Sequence, residues 1–184
     1  MAPGFPAQVI ADARAAAKDY ARVSLASEDA LFDDLAAAAL AMAEQFLRLS
    51  LIVRPHRAVL PAGSGWQRLP VGAVTAITAV AGVPAAGAEF ALPVGAYAID
   101  VDADGDGWVR VSAPGAAGRV AVTFSAGLAV DWAGVPAPIA QGVVRLIGHL
   151  HAERDASGGG GPPPAAVTAL WRPYRRLTLL ERGR

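Results

Sequence analysis

Two changes in the spacing of apolar residues constrain the fold of this chain more than any other feature. Apolar residues recur every three or four positions before Pro55, alternate in short runs from there to Leu128, and return to the first spacing after Pro136. A helix produces the first spacing because it turns every ~3.6 residues, and a strand produces the second because successive side chains point to opposite faces. The sequence therefore predicts helices on both sides of a β region.

Three helices are predicted, over residues 7–23, 28–50 and 137–154. Ser27 is a suitable N-cap for the second helix, and the acidic residues that follow it suit the positive end of the helix dipole. An apolar seam runs along this helix through Leu31, Leu35, Ala38, Met42, Phe46 and Leu49.

The third helix begins after Pro136, since proline is tolerated in a first helical turn. Its apolar seam consists of Ile139, Val143, Leu146 and Leu150. We expect this seam to pack on the second helix.

The β region is predicted to extend over residues 57–128, with turn residues between short runs. Its candidate strands are Arg57–Leu60, Trp66–Leu69, Val74–Val80, Tyr97–Val101, Trp108–Ser112 and Arg119–Ser125. In the last of these, Val120, Val122 and Phe124 alternate with smaller or polar residues, which indicates one buried face. A small antiparallel sheet is expected.

A glycine- and proline-rich run at residues 157–164 is predicted to be a hinge, because it favours neither helix nor strand. The segment 165–184 is then a tail that can dock outside its own domain. The predicted fold class is α+β: residues 1–156 form a helical-bundle body of two long antiparallel helices plus a short N-terminal helix, with an inserted small antiparallel β-sheet region and a hinged C-terminal tail.

Composition and motifs argue against several function classes. The chain has no cysteine, its sixteen basic residues balance sixteen acidic ones, and its apolar runs are shorter than a membrane span requires. We find no nucleophile motif and no phosphate-binding glycine loop. The sequence predicts a protein that is not an enzyme, has no cofactor and does not bind membranes.

Alternating acids at Asp100, Asp102, Asp104 and Asp106 are similar to the start of a calcium loop, but neither register supplies the closing bidentate acid. Asp-Gly steps in the same stretch are typical of a hairpin turn, which is the preferred interpretation. A calcium- or ligand-binding β module remains an alternative function.

His149 and Glu153 are one helical turn apart, and His151 points elsewhere. Two ligands alone make a poor metal site, so a surface ion pair is the preferred interpretation and no metal is predicted.

The tail combines aromatic and cationic residues, with five arginines against Glu181 within residues 165–184. Tryptophan, tyrosine and arginine dominate the binding energy of protein interfaces, so we expect the tail to dock on a protein. DNA binding through the arginines is a further alternative. The candidate docking residues are Leu170, Trp171, Tyr174, Arg175, Arg176 and Leu177.

In their order and spacing, these segments resemble the head-tail connector (adaptor) family of tailed phages, which includes the adaptors of gene transfer agents. The resemblance covers most of the chain. It rests on Glu28-Asp29-Ala30-Leu31 and the helix after it, Arg68-Leu69-Pro70, Tyr97-Ala98-Ile99-Asp100, residues 122–128, Val135-Pro136 and its helix, and Tyr174-Arg175-Arg176.

The resemblance implies a ring of copies of this chain, twelve in the usual case, in the neck of a virion or phage-like particle. Such a ring lies between the portal protein and a stopper or tail-proximal protein, and DNA passes through its centre without sequence-specific recognition. It also implies synthesis in the bacterial cytoplasm. The tail would then dock on the portal.

Overall fold

The structure, a computed structural model, describes residues 4–154 and 163–176. The chain divides into two compact units. One is Ile52–Val130, with Gly4; the other combines Phe5–Leu51 with Asp131–Arg184. Each unit is described by itself below.

The unit formed by Phe5–Leu51 and Asp131–Arg184 is helical. Its helices are α1 (Ala7–Ala21), α2 (Asp29–Leu47), α3 (Ala137–Ala152) and α4 (Ala165–Trp171). Helix α3 is central to the unit, because α1, α2 and α4 all pack against it. The expected contact between the second and third helices is therefore present.

Helices α1 and α2 end in the same way, at an arginine in the left-handed conformation. Arg22 and Arg48 both have φ 57°. A left-handed residue terminates a helix because its positive φ turns the chain out of the helical path, while its amide still satisfies a last-turn carbonyl; the Arg48 amide donates to the Glu44 carbonyl at 2.8 Å. The Glu44 carboxylate in turn accepts the Leu51 amide at 2.7 Å, which fixes the chain beyond the helix.

The buried side of α2 is rotated by one residue from the predicted seam. The structure buries Phe32, Ala36, Ala39, Leu40, Ala43 and Leu47. Of the predicted seam only Leu49 is buried, while Leu31 and Ala38 are exposed. The α3 seam agrees better with the prediction, since Ile139, Val143 and Leu146 are buried.

The unit Ile52–Val130 contains seven strands: β1 (Arg54–Pro61), β2 (Gln67–Arg68), β3 (Val74–Pro84), β4 (Phe90–Ala91), β5 (Tyr97–Val101), β6 (Gly107–Val111) and β7 (Ala117–Ala126). They form two antiparallel sheets, with strand orders β1-β7-β3-β4 and β2-β6-β5. All six candidate strands overlap a strand of the structure, and only β4 was missed.

Strand β7 lies at the centre of the larger sheet, between β1 and β3. Val120, Val122 and Phe124 are each buried to 1% exposure or less, which confirms the predicted buried face. The ring of His56, on β1, stacks on Phe124 at 5.5 Å between centroids. Beyond β7 the chain passes close to the first residues of this unit, where the Val53 amide donates to the Ala129 carbonyl at 2.8 Å.

The chain is α+β, but the predicted body of two long antiparallel helices with a small inserted sheet is wrong. The helices α1, α2 and α3 are of comparable length, at 15, 19 and 16 residues, and a fourth helix joins them. The strands form a unit with its own core. The start of the tail forms α4, which packs on α3 and buries Val167 and Trp171. The glycine- and proline-rich run before it, at residues 155–162, lies outside the described residues.

Candidate interaction surfaces

The tail residue Trp171 lies in the interior of the helical unit. Its side chain is fully buried, and its indole Nε1 donates to the Ile139 carbonyl at 3.1 Å. The ring faces Gly142 so closely that a Cβ there would lie 2.1 Å from Nε1, and the Phe46 ring is 5.8 Å away between centroids. Trp171 therefore holds α4 on α3 and is not accessible to a partner in this conformation.

The other candidate docking residues lie at or near the surface. Leu170, Tyr174 and Arg176 are half-buried, and the exposed Arg175 guanidinium lies 5.2 Å above the Phe46 ring. The Arg176 amide donates to the Leu47 carbonyl at 3.1 Å, so the tail follows the end of α2 up to this residue. Leu177 lies outside the described residues.

Beside α4 the helical unit contains a groove of about 350 Å³, which we call the Tyr20 groove. Helix α3 contributes two of the polar residues that line the groove. Arg145 is exposed, and the imidazole of His149 lies 3.2 Å from the Glu153 carboxylate. Gly148 lets the Tyr20 ring approach the helix, since a Cβ there would be 3.2 Å from it. The lining consists of Tyr20, Arg145, Gly148, His149, Pro164, Ala166 and Val167.

A second surface is the outer face of α2, formed by its exposed residues Ala30, Leu31, Asp34, Ala38, Ala41 and Gln45. Solvent-facing sides of helices normally carry charged and polar residues. Here only Asp34 is charged and only Gln45 is polar and neutral. The seam predicted from the sequence thus exists, but most of it borders this outer face instead of the core.

Ion pairs hold α1 against α2. Arg14 bonds Asp33 at 2.8 Å, and Lys18 forms a hydrogen bond to the Asp29 carboxylate. The Lys18 bond holds the pKa of Asp29 below its usual value of 3.8. Because folding lowers that pKa, the pair contributes its full stabilisation above the pKa of the unfolded carboxyl, and this stabilisation is lost as the pH falls through the lower pKa of the folded state. Asp29 and Asp33 therefore form ion pairs within the helical unit.

The acidic stretch at residues 100–106 begins at the end of β5 and continues as the hairpin turn, residues 102–106, that joins β5 to β6. Gly105 has φ 73°, a backbone conformation that favours glycine, and its amide donates to the Asp102 carbonyl at 3.0 Å. The Asp102 carboxylate accepts the Asp104 amide at 3.0 Å, the Asp106 amide at 2.9 Å and the Trp108 indole at 2.8 Å. The predicted hairpin is therefore present, and Asp102 organises its turn, a role that the sequence did not indicate.

We expect Asp102→Ala to destabilise the unit Ile52–Val130, which we call the β unit, by about 1–3 kcal/mol. The substitution leaves the Asp104 amide, the Asp106 amide and the Trp108 indole without the carboxylate that accepts them. Asp104→Ala, at an exposed position, should change stability by less than about 0.5 kcal/mol. Urea titrations followed by circular dichroism, with calcium or with chelator, measure both. If calcium raised the stability of the wild type but not that of Asp104→Ala, the hairpin assignment would be contradicted and a metal site would be favoured.

Within residues 4–154 and 163–176, no three acidic or histidine side chains are arranged to hold a metal ion. His151 contacts the Glu28 carboxylate at 3.1 Å, and its ring lies tilted against the Phe32 ring with the centroids 4.6 Å apart, so it braces α3 against the start of α2. In the same described ranges, no helix has the length and hydropathy that a membrane span requires.

Sequence reasoning missed the Tyr20 groove and the role of Gly142. The available signal was an isolated glycine inside a strong helical pattern, which commonly marks a close approach by another group. Gly142 and Gly148 both occupy such positions in α3. The pattern alone does not say which residue approaches, and Trp171 and Tyr20 come from distant parts of the sequence.

Comparison with protein-family profiles and with curated proteins gives no match. Among solved structures, a chain from the neck of an empty GTA particle, computed with C6 symmetry, matches with a TM-score of 0.75 and 27% identity over 98% of both chains. A chain from the virion of a native gene transfer agent (GTA) particle matches at 0.71 and 28% over 98% of both chains. A chain from the neck of a native GTA particle, computed with C12 symmetry, matches at 0.68 and 27% over 98% of both chains.

These matches cover the residues of both compact units, so they concern nearly the whole length of the chain and not one common motif. The resemblance to the connector family that includes gene transfer agent adaptors is thereby confirmed. The location that this resemblance implied, the neck of a phage-like particle, is confirmed as well.

Proposed function

We propose that this chain is a structural head-tail connector (adaptor) subunit. Copies of it form a ring between the portal protein and the stopper or tail-proximal protein of a phage or phage-like particle, and DNA passes through the centre of the ring. The observation that carries the proposal is the match over 98% of both chains to a chain of a GTA neck, at a TM-score of 0.75.

The symmetry of the matching necks supports the ring. They were computed with C6 and C12 symmetry, and a subunit in such a particle repeats around the axis. Twelve copies satisfy both symmetries, because a twelvefold ring also has sixfold symmetry. DNA within the channel would be contacted without recognition of its sequence.

The proposed portal contact is the exposed part of the tail. Arg172 and Arg175 are exposed, and Tyr174 is half-buried beside them. Arginine is suited to such a contact because its planar guanidinium binds carboxylates in a bidentate manner and stacks on aromatic rings. Since Trp171 is buried, its part in docking is to fix the position of α4.

The function is tested in cells that produce the particle, with the gene for this chain deleted and supplied in trans. Without the chain we expect filled or empty heads that lack tails, and with the wild-type chain we expect tailed particles. Electron micrographs give the tailed fraction, and quantitative mass spectrometry gives the amount of this chain per portal protein. Normal numbers of tailed particles without the chain would refute the proposal.

The tail is tested in the same cells with Arg172→Glu/Arg175→Glu. Reversing two exposed charges should leave the fold intact but lower the amount of chain retained in particles by about tenfold or more, in line with the loss of an interface anchor. Asp12→Arg/Asp19→Arg, also on the helical unit, is the matched control and should retain wild-type levels. Equal retention of both double variants would remove the tail from the portal contact.

A further inference from the structure

Helix α2 is apolar on the side that faces solvent as well as on the side that faces the core. Its inner side, from Phe32 to Leu47, is fully buried. The outer face of α2 carries Leu31 at 37% exposure and three alanines, with Met42 half-buried at its border. The solvent-facing side of a helix normally carries mostly charged and polar residues. Four of the six exposed residues of α2 are apolar, so this side has the composition of a surface that a partner covers.

The outer face of α2 and the Tyr20 groove each carry one charged side chain, and the two charges have opposite signs. Asp34 is the charged residue of the face, and Arg145 is the charged residue that lines the groove. Within the described residues neither Asp34 nor Arg145 has an ion-pair partner, in contrast to Asp29 and Asp33, which pair with α1. An apolar centre with complementary charges is the usual composition of a specific interface.

The two surfaces lie on different sides of the helical unit. The inner side of α2 packs on α3, so the outer face of α2 points away from α3. The Tyr20 groove is lined by α1, α3 and the start of α4, and no residue of α2 contributes to it. Rings of more than two copies need this arrangement, because each subunit must present two different, complementary surfaces to its two neighbours.

We infer that the outer face of α2 in one copy packs on the Tyr20 groove of the next copy around the ring, with Asp34 opposite Arg145. This inference rests on the proposed function, since it names the contact through which the ring closes. Alanines at the centre of the face permit close approach of the neighbouring helices, and Leu31 and Met42 supply apolar side chains for the groove.

The first test compares Ala38→Arg with Ala15→Arg in the deletion cells. Both alanines are exposed on helices of the same unit, so both variants should fold, which circular dichroism and thermal melting of the purified chains verify. Arginine at the centre of an interface should lower retention of the chain in particles by more than about tenfold. The control variant Ala15→Arg should be retained within about twofold of wild type, a change that costs little binding energy.

The outcomes separate this inference from the proposed function. If the wild-type chain is found in particles and Ala38→Arg is retained in the same amount when it is supplied instead, the inference is overturned and the proposed function is unaffected. Absence of the wild-type chain from particles would instead overturn the function itself.

A charge exchange tests the assignment of the partner surface. Asp34→Arg and Arg145→Asp should each lower retention, and the combined variant should recover at least half of the wild-type amount because the attraction is restored with opposite polarity. Two single variants that are retained normally, or a combined variant that is no better than either, would overturn the pairing of the outer face of α2 with the groove.

Discussion

Replacing Trp171 by alanine is expected to destabilise the helical unit by about 3–5 kcal/mol, the range typical of truncating a large buried aromatic residue. The side chain is fully buried, and its loss leaves a cavity between α3 and α4. It also leaves the Ile139 carbonyl without its indole donor. Urea titration followed by far-ultraviolet circular dichroism measures the change.

The matched control is Trp66→Ala, which removes a tryptophan that is 45% exposed and lies against Arg110. An exposed cation–π contact contributes only about 0.5–1 kcal/mol, so the loss should be close to that amount. Trp171→Ala no more destabilising than Trp66→Ala would mean that α4 is detached from α3 in solution. That result would restore the freely hinged tail expected from the sequence.

Gly127→Ala should destabilise the β unit by on the order of 3 kcal/mol or more, because the added methyl group meets backbone that cannot turn aside. A Cβ at this position would lie 2.1 Å from the Val53 amide nitrogen and 2.3 Å from its Cα. The two chain segments must separate, which breaks the bond from the Val53 amide to Ala129. Differential scanning calorimetry of the purified chain measures the loss.

Gly118→Ala is the control for this substitution. Gly118 lies in β7, and a Cβ there has nothing within 4 Å. Its replacement should be neutral to within about 0.5 kcal/mol, or slightly stabilising because glycine weakens strands. Equal melting temperatures for the Gly127→Ala and Gly118→Ala variants would show that the close approach of Gly127 to the Val53 backbone is not maintained in solution.

The existence of the main elements was predictable because their patterns are local. Helix α3 shows a clear spacing of Ile139, Val143 and Leu146, and β7 alternates from Val120 to Phe124, so both buried faces were identified correctly. The hairpin at Asp102 was predictable for the same reason, since its turn depends on adjacent Asp-Gly steps.

The side of α2 that faces the core was not predictable from its own sequence. Apolar residues occupy 14 of the 19 positions of this helix, so two neighbouring stripes, one through Leu31 and one through Phe32, fit a helical repeat almost equally well. Packing on α3 selects the stripe of Phe32. The same ambiguity is what makes the outer face of α2 a candidate interface.

The packing of α4 on α3 was not predictable for a different reason. The glycine- and proline-rich run before Pro164 indicated an independent segment, but the docking of α4 depends on Trp171 and its fit against Gly142. That contact joins residues far apart in the sequence, and each of them alone has an ordinary surface or helix interpretation. Tryptophan near arginines suggested a partner protein when its partner was this chain's own third helix.

Electron cryo-microscopy of the neck of purified wild-type particles tests the connector function most directly. If the proposed function is correct, we expect a closed ring beneath the portal into which twelve copies of this chain fit, with the outer face of each α2 against the Tyr20 groove of a neighbour. A neck map of sufficient resolution to trace side chains, in which every density is accounted for by other proteins, would contradict it.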